Sequence, residues 1–412
     1  MNCPVHHTPI SSVPGNGEDL GPDLFVDLAA AHDRFAELRA NDPVHWTESR
    51  GGYWSITRYS DIVEISKRPD LFSSALENGG ITIAGESDPE QFRDGASMIT
   101  SDPPLHLKLR NLFAPRFSSR KIDEMESFVR DAVNGLFDEL AVHREADWAD
   151  AVAAELPACV MAKLLGIPAS ERRKLCLWSD TIDGQEDPFI AARPLSAEQA
   201  VDEMMDCGRR LAALRSAQPQ DDLISLMVHR GSGGIPMPEE QYLANFAMFV
   251  IAGSETVRNC ISGGLLALHA HPEQMRILAR SPERLPGAID EINRWVTPIY
   301  HFRRTAMCDL DFHGARIRKG QKVVLWYISG NRDPGAFDRP ECFDITRVGQ
   351  PSLSFGAGQH TCVGRRLADL ELRVLFEQLL ARFPKLVPSG PIRRLRSNFI
   401  NGYTSLPVRV HG

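Results

Sequence analysis

The sequence predicts a mainly helical protein with small β-sheets, built as a single domain. Apolar residues recur at helical spacing along most of the chain, and the predicted helices outnumber the predicted strands by several to one. The few strand-like segments are not adjacent in sequence, which is typical of small satellite sheets. No internal repeat or clean linker divides the 412 residues. We therefore expect one domain over residues 24–412.

The N-terminal segment and the composition limit the class of protein. Residues 1–23 are rich in Pro, Gly, Ser and His without the pattern of a signal peptide, which predicts a flexible tail. The net charge of −8 disfavours bulk binding to nucleic acid. No apolar run reaches the roughly 18 to 20 residues that span a membrane. The eight cysteines contain no CxxC pair, which indicates free thiols rather than disulfides or a zinc site. These features predict a soluble cytoplasmic protein without a membrane anchor.

The first half of the chain alternates helices with a few other elements. Residues 76–99 have no periodicity, and a loop of this length is typical of a lid or binding loop, with a disordered insertion as the alternative. Asp102-Pro103-Pro104 begins a further helical segment, because proline favours the first positions of a helix. A strand is predicted at 53–57, and helices at 26–39, 59–67, 120–141, 153–166, 169–182, 196–217 and 221–230.

The longest predicted helix covers residues 239–270. Between residues 243 and 253 its only strongly polar side chain is Asn245. A helix that is apolar on all sides is buried, and this apolar part is too short to cross a bilayer. The segment is therefore predicted to be a central core helix. Later elements are helices at 272–280 and 285–296, strands at 310–316 and 322–327, and a closing hairpin over 399–410.

The central helix carries an acid and an alcohol, Glu255 and Thr256, next to Gly253-Ser254. Burying a carboxylate costs free energy unless the group has a partner or a task. Thr256 can hydrogen-bond to the preceding turn and, together with the glycine, open a groove in the helix that holds water and O2. The pair would then relay protons. The alternative is a patch where the helix reaches solvent.

A glycine-rich stretch at residues 355–364 places Cys362 just before a helical segment at 365–380. Backbone N–H groups and the dipole at a helix N-terminus favour the thiolate over the thiol. The glycines let the backbone approach a flat, bulky group. A thiolate presented to a flat cofactor suggests haem with cysteine as the axial ligand. Taken alone, the stretch leaves an inert buried thiol as the alternative.

Three further sets of charged residues are ambiguous when each is taken alone. Glu291 and Arg294 are three residues apart on a predicted helix and share a face. His106 and Arg110 are four residues apart, and two such donors on one face suit a carboxylate or a phosphate. Arg304 adds a positive charge ahead of a predicted strand. Each set would also be ordinary on a solvated surface.

Together these segments resemble the cytochrome P450 monooxygenases from about residue 33 to residue 410. Residues 252–256 are similar to the oxygen-activation motif of the family's central helix, and residues 291–294 fit its E-x-x-R motif. The resemblance implies the family's fold, in which haem lies between the long central helix and the cysteine loop. The haem-binding motif F-x-x-G-x-x-x-C-x-G is complete at Phe355, Gly358, Cys362 and Gly364.

The resemblance also implies a role for each matching residue. Cys362 would bind the iron of haem b as a thiolate. Thr256 and Glu255 would deliver protons for oxygen activation. By family position, the haem propionates would be held by His106, Arg110, Arg304 and His360.

The E-x-x-R pair, Glu291 and Arg294, would be structural and tie together the core beneath the haem. The chain departs from the family pattern in one respect. Cys342 stands where many relatives carry an arginine that completes this ion pair. Arg347 is a candidate to replace that arginine.

The family positions that line the substrate pocket are mostly apolar here, which favours a hydrophobic small molecule. Residues 295–306 and 323–327 resemble soluble bacterial members that act on terpenoids and steroid side chains. We therefore expect O2-dependent hydroxylation of an unactivated C–H bond in a terpenoid- or steroid-like molecule. Besides the 76–99 loop, the implied lining residues are Met248, Ile251, Ala252, Ile299, Tyr300 and Ile400.

Members of the soluble bacterial branch receive electrons from a small ferredoxin, which is reduced by an NAD(P)H-dependent reductase. We expect the same separate partners here, with no nucleic-acid partner and a monomeric chain. An acidic ferredoxin would be steered by positive charge near the cysteine loop. The implied docking residues are Lys108, Arg110, Arg116, Arg365 and Arg366.

Two other functions are compatible with a haem-thiolate site. One is epoxidation, desaturation or peroxide-driven oxidation of a small aromatic or fatty substrate. Peroxide-using relatives often replace the acid–alcohol pair, so Glu255 and Thr256 disfavour that use. The other is a non-catalytic haem sensor, which the complete acid–alcohol pair also disfavours.

Overall fold

The computed structural model describes residues 19–83, 95–231 and 235–410. Helices dominate these residues, as predicted. The α-helices are α1 (Leu28–Asn41), α2 (Tyr59–Ser66), α3 (Leu105–Phe113), α4 (Ser119–Asp123), α5 (Glu126–His143), α6 (Glu155–Leu165), α7 (Arg172–Asp183), α8 (Pro188–Ala191), α9 (Ala197–Ala217), α10 (Leu223–Arg230), α11 (Glu239–Ala270), α12 (Pro272–Arg280), α13 (Leu285–Val296), α14 (Tyr327–Gly330) and α15 (Arg365–Arg382).

The strands form small sheets at the edge of the helical body. The largest sheet has the order β1-β2-β8-β5-β3, in which β2 and β8 are parallel and the other pairs antiparallel. Smaller sheets have the orders β4-β12-β9, β10-β11 and β6-β7. The strands are β1 (Val44–Thr47), β2 (Tyr53–Ile56), β3 (Phe72–Ser73), β4 (Glu145–Asp147), β5 (His301–Ala306), β6 (Leu310–Phe312), β7 (Ala315–Ile317), β8 (Lys322–Trp326), β9 (Leu386–Pro388), β10 (Arg393–Arg394), β11 (Tyr403–Ser405) and β12 (Pro407–Val410).

The central helix α11 has the predicted bounds and is buried along most of its length. It packs against α6, α7 and α13, so its apolar surface is covered on several sides. The predicted bounds of α12 and α13 are also confirmed. Two other helices begin later than predicted, because a π-helical turn at Ala149–Ala154 precedes α6 and a 3-10 turn at Ala169–Glu171 precedes α7.

The strand predictions are corrected in three places. The predicted strand at 310–316 is the hairpin of β6 and β7, which turns at His313 and Gly314 with φ values of 52° and 85°. The predicted closing hairpin is wrong, since β11 pairs with β10 and β12 lies between β4 and β9. Strand β5 had no predicted counterpart.

Two predicted irregular segments are described only in part. Of the predicted tail at 1–23, residues 19–23 are described, and both Leu20 and Pro22 are buried against the domain. The tail boundary therefore lies earlier than residue 23, and residues 1–18 are outside the described range. Within the 76–99 loop, residues 84–94 also lie outside the described range. Ile83, at the edge of that gap, belongs to the core cluster around Trp326.

Candidate active site

The cysteine loop is held closed by its own backbone and by α2. The N–H of Cys362 donates to the carbonyl oxygen of Phe355 at 2.8 Å. Gly358 has a φ of +68°, and a Cβ at this position would collide with the carbonyl oxygen of Ser66 at the end of α2. Only glycine satisfies both conditions. The loop therefore delivers Cys362 to the start of α15 in a fixed conformation.

The Cys362 thiol lies deep in the protein, where burial raises its pKa. The N–H groups of Gly364 and Arg365 and the charge of Arg110 act in the opposite direction. These groups are suited to stabilise a thiolate at the N-terminus of a helix. Cys362 is nevertheless accessible, so its side chain is not covered by packed neighbours.

The four residues predicted to hold the propionates come together beside this loop. The rings of His106 on α3 and His360 lie 4.2 Å apart between centroids. Burial, followed by the charges of Arg304, His106 and Arg110, lowers the pKa of His360 to about 2. Arg110 also donates from Nη1 to the carbonyl oxygen of Thr361 at 2.7 Å.

This cluster contains donors without acceptors. Both ring nitrogens of His106 and Nε2 of His360 are buried and make no hydrogen bond among the described residues. Arg304 is 4% exposed, its Nη1 donates to the carbonyl oxygen of Arg303, and its side chain also interacts with the hydroxyl of Tyr327. Convergent donors and positive charges that form no ion pair with a carboxylate among the described residues suit an anion with several oxygens. The residues present therefore fit the carboxylates of a haem, next to a cysteine that fits its iron.

One stripe in the middle of α11 is accessible, although most of its neighbours on that helix are buried. Ala252 is exposed, and Met248, Ile251 and Thr256 are partly exposed between buried neighbours. Their spacing of three to four residues puts them on one helical face. The structure thus brings the three predicted pocket residues of this helix together with the predicted proton-relay alcohol. Thr256 Oγ1 donates to the carbonyl oxygen of Ala252 at 3.0 Å.

Glu255 is directed to a different side of α11 from Thr256. Its Oε1 is 3.4 Å from Nη1 of Arg258, and the same nitrogen also pairs with Asp180 on α7. Burial raises the pKa of Glu255 well above its usual range, and it raises the pKa of the neighbouring Asp183 to about 7. Neither Arg258 nor Asp180 was among the predicted site residues. Arg258 was recognisable as an i+3 neighbour of Glu255, whereas Asp180 has no local signal.

The remaining predicted pocket residues separate onto two faces. Ile299 and Ile400 form an antiparallel bridge and belong to one apolar cluster. Successive residues of extended chain point to opposite sides, and Tyr300 lies on the other side. Its ring packs 4.7 Å from that of Phe25 in the core cluster around Trp326. The prediction that Tyr300 lines the same pocket is therefore corrected.

Two residues missed by the sequence analysis join the Ile299–Ile400 cluster. Ile190 lies on α8, in the connection between α7 and α9, and is 2% exposed. It packs with Leu395, from the segment that follows β10. No periodic sequence pattern identifies them, because each lies in a short connection outside the long helices.

The predicted structural pair is fully buried and has a third member. Nε and Nη2 of Arg294 each lie 2.7 Å from a carboxylate oxygen of Glu291. Nε of Arg347 donates to Oε2 of Glu291 at 3.0 Å. Arg347 therefore provides the interaction that an arginine at position 342 provides in many relatives. The carbonyl oxygen of Cys342 accepts hydrogen bonds from both Arg294 and Arg347.

Within the described part of the chain, no helix has the length and apolarity required to span a membrane.

Comparisons with known proteins agree with this arrangement. A family model described as cytochrome P450 matches residues 283–401. The chain is 37% identical to the linalool 8-monooxygenase of Pseudomonas putida, over 94% of this chain and 97% of that protein. It is 31% identical to a steroid C26-monooxygenase of Mycolicibacterium smegmatis, over 98% of this chain and 96% of that protein.

The fold is similar to that of a solved cytochrome P450. The structure of a Mycobacterium marinum cytochrome P450 in complex with pseudoionone aligns with a TM-score of 0.89 and 31% sequence identity. The alignment covers 97% of this chain and all of that one. The similarity therefore extends through the whole domain, including the segments outside the cysteine loop.

Proposed function

The chain belongs to the cytochrome P450 family and is a monooxygenase, and from this premise we propose that it hydroxylates a terpenoid- or steroid-like molecule with O2. Haem b would be bound through Cys362. Electrons would come from a small ferredoxin, itself reduced by an NAD(P)H-dependent reductase. The protein would act as a cytoplasmic monomer.

The observation that carries this proposal is the cluster of unsatisfied donors beside Cys362. His106, His360 and Arg304 come from three separate segments. Both ring nitrogens of His106 and Nε2 of His360 are buried without a hydrogen bond among the described residues, and Arg304 adds a positive charge beside them. A group with two carboxylates and a metal would satisfy the donors and the thiol at once. A sensor would need the same cluster, but it would not need the acid–alcohol pair on α11.

The haem, when bound, supplies the activation of O2 that family members use for C–H oxidation. The N–H groups of Gly364 and Arg365 would hold the negative charge on Cys362 Sγ. Thr256 lies on the accessible stripe of α11, where its hydroxyl can hold a proton for the reaction. His106, His360 and Arg304 would fix the orientation of the cofactor.

Glu255 would supply protons to Thr256, but not in its present contacts. Adjacent residues on a helix project about 100° apart, and Glu255 is held by Arg258 on the side of α7. The raised pKa of Glu255 favours a protonated carboxyl that can act as a donor. A rotation of Glu255, or a bridging water, would be needed to reach Thr256.

The substrate class follows from the lining and from the relatives. Met248, Ile251 and Ala252 on α11 and the partly exposed Ile299, which is bridged to the buried Ile400, provide apolar surface on two sides, which suits a hydrophobic molecule. Two relatives similar over nearly the whole chain are named for a terpenoid alcohol and for steroids.

The test is a titration of the haem-loaded, oxidised protein with linalool, a cholestane steroid, a long-chain fatty acid and a small aromatic. Displacement of water from the iron by a bound substrate appears as a low-to-high-spin shift. We expect linalool or the steroid to give the tightest shift, and to yield a hydroxylated product with ferredoxin, reductase, NADH and O2.

Cys362→Ser is the control for the haem assignment, and it should lack the strongly red-shifted Soret band of the reduced carbon monoxide complex. Tightest binding of the fatty acid or the aromatic would overturn the substrate class. Turnover with peroxide but not with the electron-transfer partners would overturn the proposed reaction.

A further inference from the structure

Arg394, in β10, is a cation whose main interactions are with neutral groups. Its strongest contacts are with Tyr300 and Tyr403, and its guanidinium carbon lies 4.8 Å from the centroid of the Tyr403 ring. Its Nε is buried and makes no hydrogen bond among the described residues. Burial raises the pKa of Tyr300 to about 12, so that hydroxyl remains neutral. Arg394 is partly buried and forms no ion pair with a carboxylate among the described residues, so its neutral hydrogen-bond partners indicate its role.

The hydrogen bonds of Arg394 join the two segments that carry Ile299 and Ile400. Nη2 of Arg394 donates to the hydroxyl oxygen of Tyr300 at 3.0 Å. The same nitrogen donates to Oδ1 of Asn401. Tyr300 directly follows Ile299, and Asn401 directly follows Ile400. Because side chains alternate along extended chain, Arg394 contacts the two segments on the side opposite to the isoleucine side chains.

The backbone of the two segments is paired at the same place. The N–H of Tyr300 donates to the carbonyl oxygen of Phe399 at 2.8 Å, and the N–H of Asn401 donates to that of Pro298 at 3.0 Å. The side-chain nitrogen Nδ2 of Asn401 donates to the carbonyl oxygen of Val296 at the end of α13. The amide of Asn401 is thereby fixed with its oxygen towards Arg394.

We propose that Arg394 is a positioning residue that sets the separation and orientation of Ile299 and Ile400, and through them the fit of a ligand above the haem. This inference rests on the proposed function, because it takes the two isoleucines as walls of the substrate pocket. Arg394 touches neither substrate nor cofactor. It acts through Tyr300 and Asn401.

A pair of azoles tests the proposal without requiring the true substrate. Imidazole binds haem iron and is too small to reach the pocket walls, whereas 4-phenylimidazole extends a ring into the pocket. The ratio of their dissociation constants, measured by the optical shift of the oxidised haem, reports on the walls alone. We expect Arg394→Met and Tyr300→Phe to change this ratio by about threefold or more. Haem content and imidazole affinity should stay as in the unmodified protein.

The variants are chosen so that every outcome is informative. Arg393→Gln is the matched control, since this neighbouring arginine is exposed and stacks on Phe189 at 3.6 Å. Arg394→Lys keeps the charge but loses the planar guanidinium group that reaches two acceptors. Its azole ratio should therefore resemble that of Arg394→Met. Tyr300→Phe keeps the packed ring, and it carries the test if the arginine variants fail to fold.

Ile400→Ala distinguishes failure of the positioning role of Arg394 from failure of the pocket assignment on which that role depends. If it changes the azole ratio while Tyr300→Phe and the Arg394 variants do not, the positioning role is overturned and the pocket remains. If Ile400→Ala leaves the ratio unchanged, the pocket assignment of the proposed function is wrong. A loss of thermal stability without a change in the ratio would make Arg394 a purely structural residue.

Discussion

Glu371 on α15 is a buried acid with an unpartnered carboxylate oxygen among the described residues. Glu371 is 1% exposed, and its Oε2 makes no hydrogen bond among the described residues. Burial raises the pKa of this carboxyl well above its usual range. The folded protein therefore keeps a proton that the unfolded chain loses near pH 4.3. This contribution to stability is complete below that pH and is lost as the pH rises through the folded pKa.

Glu371→Gln should stabilise the protein at neutral pH, because the amide has the same shape and needs no protonation. We expect the free energy of unfolding at pH 7 to rise by about 1–3 kcal/mol. The difference between the two proteins should shrink as the pH falls towards 4. This difference in the free energy of unfolding is measured by urea unfolding at several pH values, monitored by circular dichroism. A variant less stable than the unmodified protein at pH 7 would contradict the neutral state of Glu371.

At the residue scale, the sequence identified side chains by type and spacing but not their remote partners. Cys362 and His106 could be singled out, because a glycine-rich loop and a helical face are local patterns. The contact of Arg258 with Asp180 joins residues 78 positions apart, and no local pattern encodes it. Ile299 and Tyr300 were both assigned to the pocket by family position, and the alternation of extended chain places their side chains on opposite sides.

At the element scale, Glu291, Arg294 and Arg347 fix α13 to the segment that precedes the cysteine loop. The side chain of Glu291 is 1% exposed, and that of Arg347 is 13% exposed. Glu291 also accepts a hydrogen bond from the N–H of Asp344 at 2.8 Å. The carboxylate is therefore satisfied from both elements, and each arginine neutralises part of the same buried charge.

Arg347→Met should destabilise the protein, because Glu291 would keep its charge and lose one of two cationic partners. We expect the free energy of unfolding to fall by about 2 kcal/mol, with faster loss of haem on heating. Arg339→Met is the control, since Arg339 is 62% exposed and pairs with Asp338, which is 88% exposed. Equal thermal stability of the two variants would exclude Arg347 as the replacement for the missing arginine.

The helices were more predictable than the strands for a physical reason. A helix such as α11 carries its periodic pattern within one segment, and its bounds could be predicted from that pattern. Strand β5 contains two arginines and is buried on both faces, so it shows no alternation. The turn of the β6–β7 hairpin depends on His313 adopting a positive φ, which its residue type allows but does not require.

At the scale of the whole molecule, the basic residues near Cys362 form one surface from separate segments. Arg366 at the start of α15 donates to the hydroxyl of Ser119 at the start of α4. The side chains of Arg120 and Arg365 are 85% and 41% exposed. Arg110, in contrast, points inwards to Thr361, so its predicted place in a docking surface is less favourable. The exposed arginines are suited to an acidic partner that delivers electrons near the cysteine.

Reversing these charges should weaken the use of ferredoxin in a salt-dependent way. We expect Arg120→Glu and Arg365→Glu to raise the KM for ferredoxin about fivefold or more at low ionic strength. The effect should shrink above roughly 0.2 M salt, because the Debye length then falls below about 8 Å. The measurement is NADH oxidation with varied ferredoxin, while the spin-shift affinity for substrate and kcat at saturation stay unchanged.

Arg209→Glu is the control for net charge, because Arg209 lies on α9, is 47% exposed and pairs with Asp206 and Glu239. Helix α9 packs against α7, α10 and α11, on a different part of the molecule from the start of α15. If Arg209→Glu raised the KM as much as the other two variants, the effect would come from overall charge rather than from a docking surface. If Arg120→Glu and Arg365→Glu left the KM unchanged at low salt, ferredoxin would have to approach elsewhere.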